Sequence, residues 1–157
     1  SISSHAARCA EKLRLEKGCA RYVSVVIKTN PFSDSDYYCG YKSSSFDVPT
    51  NDTLDIINAA ENILSSIYKK GLEYKKSGVI VGDIIPQNQV QLNLFDMDEK
   101  RIKRKKLDST VDIINQAMGR STIHIGSQGI AKNWQLKREK LSPCYTTKWD
   151  DLLTINC

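Results

Sequence analysis

Between Gly18 and the break at Asn30-Pro31 lies a run in which Val23, Val25 and Ile27 alternate with Tyr22, Ser24 and Lys28. Side chains two positions apart on a strand share a face. Residues 19–29 therefore read as a β-strand with one apolar face, its other face mixing Tyr22, Ser24, Val26 and Lys28. A second Val/Ile-rich run, at about 74–85, ends at Pro86 and reads the same way. A further strand region is expected at about 37–48, closed by Pro49.

Helical spacing surrounds these strands. Ala6, Cys9, Ala10 and Leu13 form a stripe over about 4–17, with Ser3 or Ser4 as the expected cap and Gly18 as the expected left-handed stop. Ile56, Ile57, Ala60, Ile63, Leu64 and Ile67 give a wide apolar face over about 52–70, with capping side chains at 50–53 and Gly71 as the stop. A third helix is expected at about 98–118, with a narrow stripe of Leu107, Val111, Ile114 and Met118 and Gly119 after it. A short strand is expected at about 122–125. The stretch after that holds Trp134, Tyr145 and Trp149 with little periodicity.

The order α-β-β-α-β becomes β-α-β-β-α-β once a strand is placed in front. The fold expected is thus α+β, a split βαβ domain lacking its first strand, followed by a smaller helical and irregular C-terminal extension. The boundaries expected are 1–86 for the sheet domain, 87–96 for a polar connector and 97–157 for the extension. An incomplete sheet edge would suit cover by a second copy or by the C-terminal half. With no initiator Met ahead of Ser1, the chain reads as a piece of a longer protein.

Charge divides the chain at the connector. Residues 1–96 hold 11 Lys/Arg and 11 Asp/Glu, whereas residues 97–157 hold 12 and 7, so the whole excess of +5 lies in the extension. That asymmetry suggests an anionic partner. No apolar run reaches the roughly 18 to 20 residues of a membrane helix, and a cytoplasmic chain with no membrane partner is expected. The five cysteines include no C-x-x-C, and His5 and His124 lie far apart, which speaks against a zinc site. The carboxylates are scattered, and adjacent Asp150 and Asp151 would point apart. No catalytic residue, metal ligand or cofactor site is assigned.

Two groups of residues carry binding readings. Gln91-Leu92-Asn93-Leu94-Phe95 sits on the polar connector. Leu94 and Phe95 could each gain roughly 1.5 to 3 kcal/mol in a preformed pocket, Gln91 supplies an amide, and Leu92 can pack on a rim. Its alternative role is a plug for the domain's own core. Arg21, Lys28, Lys42, Lys75 and Lys76 lie on or beside strands, where side chains can meet phosphates. The basic block at 100–106 could also contact phosphates or simply be a solvated helix face.

Several blocks resemble the UmuC family of Y-family translesion DNA polymerases. They are Ala6-Ala7-Arg8-Cys9-Ala10-Glu11-Lys12-Leu13-Arg14, Ile27-Lys28-Thr29-Asn30-Pro31-Phe32, Tyr74-Lys75-Lys76-Ser77-Gly78-Val79, the pentapeptide, and Leu141-Ser142-Pro143-Cys144-Tyr145-Thr146-Thr147. In the last block, family members commonly have Arg where Cys144 stands. The resemblance implies that residues 1–86 are most of the little finger, which lays its sheet in the major groove of DNA. It implies that Gln91, Leu92, Leu94 and Phe95 dock on the bacterial sliding clamp. It also implies that the extension works with a processed UmuD dimer and RecA. The parent would be a DNA-directed DNA polymerase in the SOS response, using Mg2+ in a palm domain that has no counterpart here, so this part would be non-catalytic. The alternative expectation is a protein-interaction adaptor for UmuD or RecA with incidental DNA contact. A third is an RNA-binding split βαβ domain, for which Tyr22 is the one well-placed stacking residue.

Overall fold

The computed structural model describes residues 1–32, 37–92, 98–130, 134 and 141–152. Its elements are α1 (Ile2–Leu15), β1 (Gly18–Thr29), β2 (Cys39–Thr50), α2 (Thr53–Ile67), β3 (Tyr74–Pro86) and α3 (Asp98–Met118), with single 3-10 turns at Gln87–Gln89, Gly126–Gln128 and Trp149–Asp151. The molecule is α+β, and the order α-β-β-α-β is the one expected.

The strands form one antiparallel sheet in the order β2-β1-β3. β1 is central. It pairs with β2 from Lys28↔Cys39 to Ala20↔Thr50 and with β3 from Thr29↔Tyr74 to Gly18↔Pro86. Because β1 and β3 are direct neighbours, a further strand has room only at the outer edge of β2 or β3. Those two edges have no strand partner among the described residues.

The apolar faces meet as their spacing requires. Ile2, Ala6, Ala10 and Leu13 of α1, Ile56, Ile57, Ala60 and Ile63 of α2, and Ala20, Val23 and Val25 of β1 form one buried cluster. The fully buried Ala6, Ala10 and Ala60 keep the helix surfaces low, which lets α1 and α2 approach each other and the sheet closely. Burying each larger aliphatic side chain contributes roughly 1.5 to 3 kcal/mol.

Several local expectations are corrected. The cap position of α1 is Ser1, without a side-chain cap bond, and Ser3 Oγ donates instead to Glu61 Oε1 across to α2 at 2.8 Å. The left-handed residue after α1 is Lys17, with φ 53°, not Gly18. α2 ends at Ile67, before Lys70, where the Tyr38 hydroxyl donates to the Ile67 carbonyl at 2.7 Å. At its start, Asp52 caps it by accepting from Asp55 N at 3.0 Å. Residues 122–125 are not a strand. The Asn115 amide donates to Ile123 O and accepts from Ile123 N, both at 2.9 Å, so one side chain satisfies the backbone groups a neighbouring strand would have taken.

The stripe expected to seat α3 does so only in part: Val111 and Ile114 are half-buried, but its other two members are not. Leu107 is 58% exposed and Met118 73% exposed. The helix docks through polar groups instead. Arg14 of α1 donates from Nε and Nη2 to the two carboxylate oxygens of Asp112 at 2.6 and 2.8 Å, and from Nη1 to Asp108 Oδ2 at 3.3 Å.

Candidate nucleic-acid interface

α1 and α2 cover one face of the sheet. The other face displays Tyr22, Ser24, Val26 and Lys28 of β1. Across β2 these pair with Ser45, Ser43, Tyr41 and Cys39; across β3 they pair with Gly82, Ile80, Gly78 and Lys76. Tyr22, Tyr41 and Ile80 are exposed there.

Glycine shapes this face. The ring of Tyr22 lies over Gly82, where an added Cβ would come within 2.2 Å of it. The tyrosine is thereby laid across β3. Beside it, Ser24 Oγ and Ser43 Oγ are 2.9 Å apart, and each lies 3.2 Å from the Tyr41 hydroxyl. Hydrogen bonds with Ser24 and then Ser43 hold the Tyr41 phenol below its ordinary pKa. The hydroxyls of Tyr41 and Ser43 are thus pre-positioned on an open surface, held by the Ser24 hydroxyl, which is itself fully buried.

The five basic residues expected on or beside the strands are not all placed alike. Lys28 and Lys76 are register partners and share the open face. Lys42 pairs with Val25, whose side chain faces the helices, so it alternates to the other side of the sheet, whereas Lys75 is the unpaired residue at the irregularity between Lys28↔Lys76 and Thr29↔Tyr74. They are exposed at its margin. Arg21 sits at the irregularity between Ala20 and Tyr22 and lies 3.6 Å from Asp83, itself at φ 50°.

The connector leaves β3 with Gln87 N donating to Lys17 O at 2.8 Å. Gln91 and Leu92 are exposed, and Leu92 lines a cleft of about 680 Å³ between the end of β2, the start of α2 and the first turns of α3. Asn93, Leu94 and Phe95 lie outside the described residues. The basic block of α3 is divided. Arg101 Nη2 donates to Pro49 O at 2.8 Å and Arg104 Nη1 to Asp55 Oδ1 at 2.7 Å. Lys100, Lys103, Lys105 and Lys106 are exposed.

Sequence reading missed the hydroxyl trio, because its members come from two strands whose register had to be known. It missed Tyr41 as a second aromatic of the open face for the same reason. It also missed Arg14, whose partners lie 94 and 98 residues away. The i,i+4 pair Asp108 and Asp112 on an otherwise basic helix was the available signal. Among the described residues, no group of three or more His, Cys, Asp or Glu could hold a metal ion. No helix among them is long and apolar enough to cross a membrane.

Comparison with known proteins places these features. A family model described as the impB/mucB/samB family C-terminal domain matches residues 1–94, and one described as a domain of unknown function, DUF4113, matches residues 105–155. Protein UmuC of Salmonella typhimurium is 42% identical over 156 residues, which is 99% of this chain and 37% of that protein. Protein SamB of Salmonella typhimurium is 42% identical over 153 residues, 97% of this chain and 36% of that protein. Protein MucB of Escherichia coli is 35% identical over 150 residues, 95% of this chain and 35% of that protein. The chain spans little more than a third of the length of these relatives. With its α+β domain matched from the first residue through Leu94, the chain belongs to the impB/mucB/samB family, whose C-terminal domain it contains.

Proposed function

We propose that this chain is the DNA-gripping and clamp-docking part of a translesion DNA polymerase subunit, with the open sheet face as its duplex contact. The observation that carries this reading is the pairing of Lys28 with Lys76 on a face that also presents Tyr22, Tyr41 and the hydroxyl of Ser43. Lysines displace counterions from the phosphate backbone, and hydroxyls donate to phosphate oxygens without reading sequence. A polymerase that must accept damaged templates needs that kind of grip. The chemistry, with its Mg2+, belongs on this reading to the remaining two thirds of the parent protein.

The connector adds recruitment. Gln91, Leu92, Leu94 and Phe95 dock on the sliding clamp in this reading, raising the local concentration of the DNA-gripping face. The exposure of Gln91 supports an outward peptide. Substituting Lys28→Gln and Lys76→Gln together should weaken duplex binding and lower the slope of log affinity against log salt by about 2. An unchanged slope would refute the sheet contact. Leu94→Ala with Phe95→Ala should abolish clamp binding while leaving duplex binding intact, and retained clamp binding would refute the docking peptide.

A second reading, an adaptor for processed UmuD or RecA, draws support from large apolar side chains left exposed in the extension. Trp149 is 88% exposed and Leu141 73%. Capture of either partner by the intact chain with no duplex binding at low salt would favour it.

A further inference from the structure

We infer that α3 is a releasable arm, fastened to the domain by a polar latch centred on Arg14 rather than by the hydrophobic core. Four observations carry this.

The latch is a built receptor. Arg14 and Asp108 have side chains only 12% and 16% exposed. Besides its bonds to Asp108 and Asp112, the Arg14 guanidinium donates from Nη1 to Asn51 O at 2.8 Å and Thr53 Oγ1 at 2.9 Å. Asp108 Oδ2 also accepts from Thr53 N in the first turn of α2 at 3.1 Å. The two carboxylates of α3 are thus received by α1 and α2 together, and Arg104 adds a bond to Asp55.

The core does without α3. No α3 residue belongs to the buried apolar cluster or to the apolar residues packed on it. On α3 itself Ile102, Leu107, Ile113 and Met118 are exposed and only Val111 and Ile114 are half-buried. An apolar helix face would hold the arm by excluded area, which water cannot replace. A polar latch exchanges with water.

The latch contains opposed costs. Burial pushes the Asp108 carboxyl above the usual range despite Arg14, and burial followed by the charge of Asp52 does the same to Asp55. Desolvation offsets much of the attraction in a pair of this kind. Arg14 has no such difficulty: burial opposes its charge, but the bond to Asp112 and the charges of Asp108, Asp112 and Asp52 outweigh it.

The arm also forms one wall of a cleft that holds a reporter. Cys19 is 2% exposed and lines the cleft with Arg101 and Lys105 of α3. Cys9 lies elsewhere, on α1 with its Sγ 3.8 Å from Val79 O of β3, away from that cleft.

Alkylation of the whole chain, read at each cysteine by peptide mass spectrometry, tests the arm directly. Asp108→Ala with Asp112→Ala should raise the Cys19 rate by at least about tenfold, the ratio expected for one lost charge-assisted hydrogen bond. The Cys9 rate should stay within about twofold, since the core is intact. Val111→Ala with Ile114→Ala, the half-buried apolar pair on the same helix, should raise the Cys19 rate by no more than about twofold. The inference is overturned if the aspartate pair leaves Cys19 protected, or if Cys9 rises in step with Cys19. It is equally overturned if the apolar pair exposes Cys19 as strongly. None of these outcomes depends on DNA or clamp binding, so the result stands apart from the functional proposal.

Discussion

A methyl group at position 18 would lie 2.8 Å from Ile84 Cγ2, closer than a real Cβ is found. Gly18 is therefore required by the close approach of β3, not by its own backbone angle. Gly18→Ala should lower stability by about 1 to 3 kcal/mol, read as a lower midpoint in urea. The left-handed position belongs to Lys17, at φ 53°. A residue with a Cβ pays for that conformation, so Lys17→Gly should raise stability by about 0.5 to 1 kcal/mol in the same measurement. The sequence showed that a stop was needed near 18. It could not show which residue takes the left-handed angle, because the deciding neighbour, Ile84, is 66 positions away.

At the scale of elements, the beginning of α2 concentrates carboxylates. Asp52 caps the helix, and Asp55 and Asp108 lie beside it with carboxyls pushed up, in both cases first by burial. A carboxyl whose folded pKa is raised takes up its proton in the folded state before the unfolded chain does. Its contribution to stability is fully present below the unfolded pKa near 4 and is lost as pH rises through the folded value. Asp55→Asn removes one such group. As pH rises from 4, the unfolding free energy of that variant should fall less than that of the unsubstituted chain, as followed by urea denaturation at stepped pH. A steeper fall in the variant would show that the Arg104 pair, rather than burial, governs Asp55. Helix existence was legible from apolar spacing in α1 and α2, since both stripes do pack on the sheet. The stripe of α3 misled because a helix seated by Arg14, Asp108 and Asp112 needs no apolar seam. The strand expected at 122–125 misled because Asn115 supplies the bonds that a strand would have sought.

Across the whole molecule, two helices cover one side of a sheet and leave the other open. Ile56 is fully buried in the contact between α2 and the sheet. Ile56→Ala should cost about 2 to 5 kcal/mol, seen as loss of cooperative unfolding at low denaturant. The central strand was legible because Val23, Val25 and Ile27 alternate so regularly with polar neighbours. The composition of the open face was only partly legible. Tyr22 and Lys28 could be read from β1 alone, whereas Tyr41, Ser43 and Lys76 joined them only through the register of β2 and β3. The separation of Lys42 from Lys28 and Lys76 likewise follows from register, which short apolar runs do not fix.

The central claim is that duplex DNA lies on that open face. Backbone amide shifts of the intact chain, recorded as a short duplex is added at low salt, test it most directly. The account predicts that the perturbed residues cluster at Tyr22, Ser24, Val26, Lys28, Tyr41, Ser43 and Lys76, with α1 and the buried face of α2 unmoved. Perturbations confined to Lys100, Lys103, Lys105 and Lys106 of α3, or none at all, would contradict it.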